Sequence, residues 1–288
     1  MAARLLDAGY VLRIFDPMPE AVAALVARGA VACKTASDAS TDSTFVILSL
    51  PAPSDVRAAV MAENGVLAGA KPGTIVIDCS TIDPSTAREM STECETAGVS
   101  YVDAPVSGGV AAAAAGTLTM MIGAKAVTAD RIQPLLRHLA ARIVHTGPVG
   151  SGQMTKLCNN MLTAINTVAL GEVLVAGVHA GLDLDVLCDV LAASSGGSKM
   201  LEFLAKTLFT TERPSNFALQ LMHKDISLFL EERQQSMPPL PLSHLTREIY
   251  SVARGQGLAA KDSSSVIEFF EQLADVRLTS KRSPQTVT

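Results

Sequence analysis

Hydrophobic and polar positions follow two different periods along this chain. In the first half, short runs rich in β-branched and aromatic residues alternate with stretches of amphipathic, helical spacing. The runs predict six strands, over residues 10–16, 44–50, 73–80, 99–105, 117–123 and 141–147. Strands that alternate with helices in this way predict a mostly parallel, doubly wound sheet of the α/β class.

The pattern changes after residue 152, where only helical periodicity remains. The predicted helices cover residues 153–180, 184–194, 200–208, 218–234, 241–255 and 263–273. We therefore expect an α/β domain over residues 1–149, followed by an all-α domain over residues 150–288.

The N-terminal sequence differs from the usual opening of a dinucleotide-binding sheet. Such a Rossmann-like sheet begins with an apolar strand and a Gly-x-Gly-x-x-Gly turn that receives a pyrophosphate. This chain begins with MAARLLDAG, which has the pattern of the helix after that turn, so the first strand and the turn are missing. Because a chain without the turn should bind NAD poorly, we expect Met1 to be an internal methionine of a longer polypeptide.

Open parallel sheets bind ligands at the carboxyl ends of their strands, so residues at those ends are candidates for a cofactor site. Asp16 ends one predicted strand, where an acidic residue accepts hydrogen bonds from adenosine ribose hydroxyls and favours NAD over NADP. It can equally be a turn former before Pro17. Leu50, Pro51 and Thr81 follow two other strands and can lie along a nicotinamide, or can simply mark where those strands end.

A lysine and an asparagine interrupt the longest apolar helical pattern. Lys156 and Asn160 are four residues apart, so on a helix they project from the same face. An ammonium group and a carboxamide on one face can hold and protonate a substrate oxygen. Taken alone, the pair is equally compatible with a lysine that reaches solvent and an asparagine that caps a neighbouring loop.

Two further motifs carry polar groups that can bind a ligand. Ser107, Gly108 and Gly109 follow a predicted strand and can present a hydroxyl and backbone amides to a carboxylate. Lys224 and Asp225 are adjacent in an apolar helical segment, although a pair of this kind usually lies on a solvated face.

Composition limits the partners of the chain. Its 288 residues are 48% hydrophobic and 18% charged, with a formal net charge of −5 and no basic run, which disfavours nucleic acid. No apolar run reaches the roughly 20 residues that span a bilayer, so we expect no membrane association. The five cysteines form no CxxC pair and predict reduced thiols in the cytoplasm, while the histidines lack the spacing of a metal site.

Five segments, taken together and in order, resemble one enzyme family over essentially the whole chain. They are IDCSTIDPST, DAPVSGGVAAAAAGTLTMMIG, GPVGSGQMTKLCNNML, LMHKDISL and GLAAKDSSSVIEFFE. The resemblance is to the β-hydroxyacid dehydrogenases, whose best-known member is 3-hydroxyisobutyrate dehydrogenase.

The resemblance implies a role for each candidate residue. Lys156 matches the family's catalytic lysine and Asn160 its substrate-orienting partner. The loop of Ser107, Gly108 and Gly109 matches the one that holds the substrate carboxylate. The residues that match the cofactor side are Pro51, Thr81 and Lys224, with Asp225 as a structural support for Lys224.

The resemblance also implies an activity. Family members transfer a hydride between a nicotinamide and a small 3-hydroxy acid or its semialdehyde, without a metal, and are commonly dimers or tetramers. We expect NAD rather than NADP as the cofactor. Ala112 and Ala114 replace a glycine and a glutamate that the family tends to have, which bears on substrate identity. The alternative function is a noncatalytic binding or scaffold protein that has lost cofactor affinity through the missing glycine turn.

Overall fold

A computed structural model describes residues 1–207, 209, 213, 215–232 and 238–282. The chain divides into two compact units, Met1–Leu157 and Cys158–Thr288. The division falls inside helix α9 (Ser151–His179), and the predicted domain boundary at residues 149 and 150 lies just before the start of that helix.

The N-terminal unit contains eight strands and eight complete helices among its described residues. The strands are β1 (Arg13–Ile14), β2 (Val31–Ala32), β3 (Phe45–Leu48), β4 (Ile75–Asp78), β5 (Ser100–Asp103), β6 (Val106–Ser107), β7 (Leu118–Gly123) and β8 (Ala140–Gly147). The helices are α1 (Ala2–Asp7), α2 (Pro19–Val26), α3 (Ala36–Ser40), α4 (Pro53–Met61), α5 (Val66–Gly69), α6 (Pro84–Thr96), α7 (Gly109–Ala115) and α8 (Ala126–Leu136).

Six of these strands form one mixed sheet. Its order is β3-β4-β5-β7-β6, with β8 paired to β7. Strands β3, β4 and β5 are parallel, whereas β7 is antiparallel to both β5 and β6. The connection from β6 to β7 holds only the short helix α7, and a parallel crossover usually needs a dozen residues or more. The predicted Rossmann-like α/β class is confirmed, with the sheet mixed rather than wholly parallel.

Strands β1 and β2 form a separate two-stranded parallel sheet. Arg13 pairs with Val31 and Ile14 with Ala32. Within the described residues, no strand ladder joins this small sheet to the six-stranded one. Asp16 therefore follows a strand of the small sheet, whereas Leu50, Pro51 and Thr81 follow strands of the large one.

The centre of the large sheet is buried on both faces. Ile75 and Ile77 of β4 pack into one apolar cluster, while Val76 between them packs into another. Burial on both faces explains why this strand is a continuous apolar run rather than an alternating one. The loops that follow β3, β4 and β5 are thus held by a rigid core.

The described part of the C-terminal unit is helical and contains no strand. Its helices after α9 are α10 (Leu184–Ala192), α11 (Lys199–Thr207), α12 (Leu219–Glu231), α13 (Pro241–Ala253) and α14 (Ile267–Ala274), with a π-helical turn at Arg254–Leu258 and a 3₁₀ turn at Ser263–Val266. The predicted all-α character is confirmed for these residues. Parts of the predicted helices 200–208 and 218–234 lie outside the described residues.

Helix α9 is long and apolar enough to cross a membrane by length and composition alone. It has 29 residues, and its most apolar 18-residue window has a mean hydropathy of 1.7. The core helix of a soluble protein passes the same test. Met161, Ala164, Val168 and Leu174 of this helix pack into the apolar core of the C-terminal unit, so its hydrophobicity has a use inside the fold.

Candidate active site

Helix α9 carries Lys156 and Asn160 one turn apart, as their spacing predicts. The Lys156 side chain is half-buried, and Asn160 is only 5% exposed. The ammonium group of Lys156 and the carboxamide of Asn160 therefore project from the same face of the helix.

A buried carboxylate fixes the Asn160 side chain. Asn160 Nδ2 donates a hydrogen bond of 2.7 Å to Asp225 Oδ2, and Lys224 Nζ lies 3.1 Å from Asp225 Oδ1. Asp225 is 1% exposed, so the alternative of a charged pair on a solvated face is wrong. Burying a carboxylate is unfavourable unless its partners are charged or donate hydrogen bonds. Here Lys224 is the charged partner and Asn160 donates the hydrogen bond. The carboxamide of Asn160 is consequently held in one orientation.

The loop of Ser107, Gly108 and Gly109 has a backbone that requires glycine. Gly108 has φ +126° and Gly109 has φ +71°, in the region that residues with a side chain rarely adopt. A Cβ atom at Gly108 would also lie 2.6 Å from the Ala112 methyl group. Ala112, one of the two departures from the family pattern, thus lies directly against this loop. The strand β6 ends at Ser107, so the hydroxyl and the exposed glycine amides occur side by side.

The loops after β3 and β4 are tied together at the predicted cofactor side. The backbone N–H of Leu50 donates to Ser80 Oγ at 2.8 Å. Pro51 is exposed and Thr81 is half-buried next to this contact. The two loops therefore form one continuous edge of the sheet.

Asp16 takes part in a tight turn. Its Oδ1 accepts a hydrogen bond of 2.8 Å from the Met18 N–H, as the turn-former interpretation predicts. The residue is exposed, and a carboxylate has about four acceptor positions, so the turn leaves capacity for ribose hydroxyls. Both interpretations of Asp16 are thus compatible with the structure.

Two aspartates at the ends of neighbouring strands support these loops, although the sequence pattern assigned them no role. Asp78 of β4 and Asp103 of β5 are paired in register. Asp78 accepts hydrogen bonds from the Tyr101 phenol (2.6 Å) and the Ser80 N–H (2.9 Å). An acidic residue directly after an apolar run, Ile-Val-Ile before Asp78 and Tyr-Val before Asp103, is the sequence signal that could have identified both.

Asp103 caps the start of helix α9. Its Oδ1 accepts from the Gly150 N–H and its Oδ2 from the Gln153 N–H, both at 2.8 Å. A carboxylate at a helix N-terminus is favoured by the helix dipole. Burial nevertheless dominates and raises the pKa of Asp103 to about 6, against the lowering effect of these two hydrogen bonds. The helix that bears Lys156 is thereby attached to the strand that precedes Ser107.

The strand-end residues fit two portions of a dinucleotide. Asp16 provides an exposed carboxylate for ribose hydroxyls. Pro51 and Thr81 border the edge where a nicotinamide can lie, while the Leu50 N–H is already donated to Ser80. These positions are the ones at which open α/β sheets bind such cofactors.

Comparisons with known proteins agree with this arrangement. Residues 1–147 match the family described as the NAD binding domain of 6-phosphogluconate dehydrogenase. Residues 150–270 match the family described as NAD-binding of NADP-dependent 3-hydroxyisobutyrate dehydrogenase.

Individual relatives cover almost the whole chain. An NAD-dependent L-serine dehydrogenase of Pseudomonas aeruginosa is 39% identical, over 94% of this chain and 93% of its own length. A 2-(hydroxymethyl)glutarate dehydrogenase of Eubacterium barkeri is 37% identical, over 97% and 93%. The solved structure of Mycobacterium tuberculosis 3-hydroxyisobutyrate dehydrogenase with L-serine has a TM-score of 0.85 and 34% identity, over 93% of each chain.

The fold, the strand-end loops and these matches define an NAD-dependent oxidoreductase. The chain belongs to the β-hydroxyacid dehydrogenase family. The expected class of enzyme and the expectation of NAD as its cofactor are thereby confirmed. The relatives named above are all dehydrogenases, so they give no support to the alternative of a noncatalytic protein.

Proposed function

We propose that this enzyme transfers a hydride between NAD and the hydroxyl-bearing carbon of a small 3-hydroxy acid, giving its semialdehyde. The observation that carries the proposal is the Asp103 cap. Through it, the helix that bears Lys156 is hydrogen-bonded to the strand that leads into the loop of Ser107, Gly108 and Gly109. Asp103 thus connects a group that exchanges protons, Lys156, with a loop that can bind a carboxylate. This pairing suits a substrate that has both a hydroxyl and a carboxylate.

Each residue then has a defined task. The Lys156 amine takes the hydroxyl proton as the alcohol is oxidised, or returns it in reduction, and Asn160 directs the same oxygen. The loop of Ser107, Gly108 and Gly109 grips the carboxylate and so sets the distance of the reacting carbon. NAD, when bound along Pro51 and Thr81, supplies the hydride acceptor. The family pattern assigns Lys224 a role towards the cofactor.

The substrates in the relatives' names share one chemical feature. L-Serine, 2-(hydroxymethyl)glutarate and 3-hydroxyisobutyrate all carry a hydroxymethyl group on the carbon next to the carboxylate. The proposed substrate of this chain is therefore an acid with that group. The remaining substituent on the same carbon is not specified, because Ala112 and Ala114 replace residues that the family tends to have near the carboxylate loop.

A substrate panel tests the proposal. The three acids named above are assayed with NAD and with NADP, beside 2-methyl-1,3-propanediol, which lacks the carboxylate, and lactate, which lacks the hydroxymethyl group. We expect turnover of at least one of the three acids with NAD and none of the two control compounds. Turnover of the diol at the same rate would contradict the role of the carboxylate loop. Turnover only with NADP would contradict the role of Asp16.

Replacing Asp225 with asparagine tests the support of Asn160. The change keeps the shape but puts a carboxamide N–H₂ group towards either Asn160 Nδ2 or Lys224 Nζ, which are both donors. We expect kcat/KM for the acid to fall about tenfold, as for loss of one hydrogen bond to a charged group. Steady-state kinetics give this value, and Asp189→Asn on the exposed face of α10 is the matched control. Unchanged kinetics in a folded Asp225→Asn protein would contradict the role of this carboxylate.

We also propose that the enzyme forms homodimers or homotetramers. Helix α9 exposes Leu162 and Val173 on one face, and helix α13 exposes Leu242 and Leu245, each by more than half of its surface (59%, 51%, 55% and 57%). A second copy that covers these side chains would remove them from water. Light scattering during size-exclusion chromatography measures the mass, and a monomer at micromolar concentration would contradict the proposal.

A further inference from the structure

Gln153 is a buried polar residue in the first turn of helix α9, three residues before Lys156. Its side chain is 0% exposed. Burial of an unpaired carboxamide is unfavourable, so such a residue is expected to have partners at both ends. The side-chain partners of Gln153 both belong to the loop after β4, which is part of the candidate active site.

The carboxamide of Gln153 bonds to the backbone on both sides of Thr81. Its Nε2 donates to the Ser80 carbonyl oxygen at 2.9 Å, and its Oε1 accepts from the Ile82 N–H at 3.1 Å. A neutral carboxamide supplies one donor and one acceptor in this arrangement, whereas a carboxylate supplies acceptors only. This side chain therefore ties the backbone on both sides of Thr81 to helix α9.

The backbone of Gln153 reaches the strand that leads to the substrate loop. Its N–H donates to Asp103 Oδ2 at 2.8 Å, and β5 ends at Asp103, shortly before strand β6 with Ser107. The helix also approaches the sheet closely here, because a Cβ atom at Gly152 would lie 2.4 Å from the Met121 carbonyl oxygen. Gln153 thus contacts the cofactor loop with its side chain and the end of strand β5 with its backbone.

We propose that Gln153 is a positioning residue, which sets the distance between the cofactor loop at Thr81 and the proton-exchanging amine of Lys156. This inference rests on the proposed function of those two residues. Hydride transfer is steeply sensitive to the separation of the reacting atoms, and a displacement of about 1 Å can cost about a hundredfold in rate. Loss of the two side-chain hydrogen bonds should therefore affect the chemical step more than the binding of the acid, which contacts a different loop.

Two variants and a control test the proposal. Gln153→Leu removes both hydrogen bonds, and Gln153→Glu keeps the size but removes the donor while the carboxyl is ionised. Gln133→Glu makes the same chemical change on helix α8, where the side chain accepts an exposed hydrogen bond from Arg137. Each protein is assayed for kcat, for KM of the acid, and for the deuterium isotope effect with label on the hydroxyl-bearing carbon. Thermal melting reports folding.

For Gln153→Leu we expect kcat to fall about ten- to a hundredfold, with KM of the acid changed less than about threefold. The isotope effect on kcat should rise, because hydride transfer becomes the slowest step. Gln133→Glu should match the wild type. A folded Gln153→Leu enzyme with kcat and isotope effect equal to those of the wild type would overturn the proposal.

Gln153→Glu provides a second readout that a purely structural role would not give. Protonation of the new carboxyl restores a donor for the Ser80 carbonyl oxygen and leaves an acceptor for the Ile82 N–H. Among the titratable groups near this position in the hydrogen-bond network, Asp103 accepts from the Gln153 N–H and Asp78 accepts from the Ser80 N–H and from the Tyr101 phenol. Asp83 follows Ile82 in sequence, and Lys156 lies about one turn further along helix α9. Both variant and wild type share these groups, so the ratio of their kcat values reports the new carboxyl together with its effect on these neighbours. We expect that ratio to rise at least tenfold from pH 9 to pH 6.

The outcomes separate this inference from the proposed function. A ratio that equals one at every pH would overturn the role of Gln153, even if Gln153→Leu fails to fold. Lys156→Ala is assayed in parallel. If Lys156→Ala is inactive while both Gln153 variants match the wild type, only the inference on Gln153 fails. If Lys156→Ala keeps full turnover, the proposed function itself fails.

Discussion

Replacing Lys156 with alanine is expected to lower kcat about a thousandfold while NAD affinity stays within about twofold. The amine is the group on helix α9 that can exchange a proton with the substrate oxygen, and general acid–base catalysis of this kind contributes about 10² to 10⁴ in rate. NAD binding should persist, because the proposed cofactor contacts come from Asp16, Pro51 and Thr81. Steady-state kinetics give kcat, and fluorescence titration gives the dissociation constant of NADH.

A second substitution at the same position separates proton exchange from charge. Lys156→Arg keeps the positive charge, but a guanidinium group with a pKa above about 12 does not release its proton near neutral pH. We expect Lys156→Arg to be nearly as inactive as Lys156→Ala. The control is Lys199→Ala, at an exposed position where helix α11 begins. Substantial turnover in Lys156→Arg would mean that the lysine acts by charge alone.

Regular periodicity allowed most of the fold to be predicted. Strands such as β4 and β7 are long enough to show a continuous apolar run, and helix α9 is long enough to show its helical spacing. Strands β2 and β6 have two residues each and neither was predicted, whereas β1 is equally short but lies inside the predicted apolar run 10–16. The antiparallel direction of β7 was also missed, because strand direction depends on the connection rather than on the strand pattern.

The candidate site could be predicted where its residues are close in sequence. Lys156 and Asn160 share a helix face because they are four residues apart. The partner of Asn160, Asp225, is 65 residues away, and the hydrogen bond from the Gln153 N–H to Asp103 spans 50 residues. Contacts of that separation are produced by tertiary packing, which no local pattern records. The residues that bear the proposed chemistry were therefore found from the sequence. Of the residues that hold them in place, Asp225 was named through the family resemblance as a support for Lys224, whereas its bond to Asn160 and the role of Asp103 were not predicted.

Replacing Asp103 with alanine is expected to destabilise the fold more than Lys156→Ala or Asp225→Asn does. The N–H groups of Gly150 and Gln153 would lose their acceptor in a region closed to water. Each unsatisfied buried donor costs about 1–3 kcal/mol, so the free energy of unfolding should fall by roughly 3–5 kcal/mol. For a chain of this size that corresponds to a decrease of about 10 °C in Tm. Thermal melting of Asp103→Ala beside Asp130→Ala, at an exposed position on helix α8, measures the effect.

Asp103 should also give the stability a defined dependence on pH. Burial raises its folded pKa to about 6 from the ordinary 3.8, so the folded chain binds a proton more readily than the unfolded chain between these values. The contribution of this group to the free energy of unfolding is therefore full below pH 3.8 and falls as pH rises towards 6, by roughly 3 kcal/mol in total. Asp103→Asn cannot titrate and lacks this slope. Its stability relative to the wild type should thus improve as pH rises from 4 to 7.

The comparison of Asp103→Asn with the wild type assigns the titration to one residue. Denaturant unfolding at several pH values between 4 and 8 gives both free energies, with Asp130→Asn as the matched control. The control should keep the wild-type slope, because its carboxylate is exposed and outside the network. If Asp103→Asn keeps that slope as well, Asp103 does not titrate in this window. The burial of its carboxylate would then be fully offset by the two hydrogen bonds from the start of helix α9.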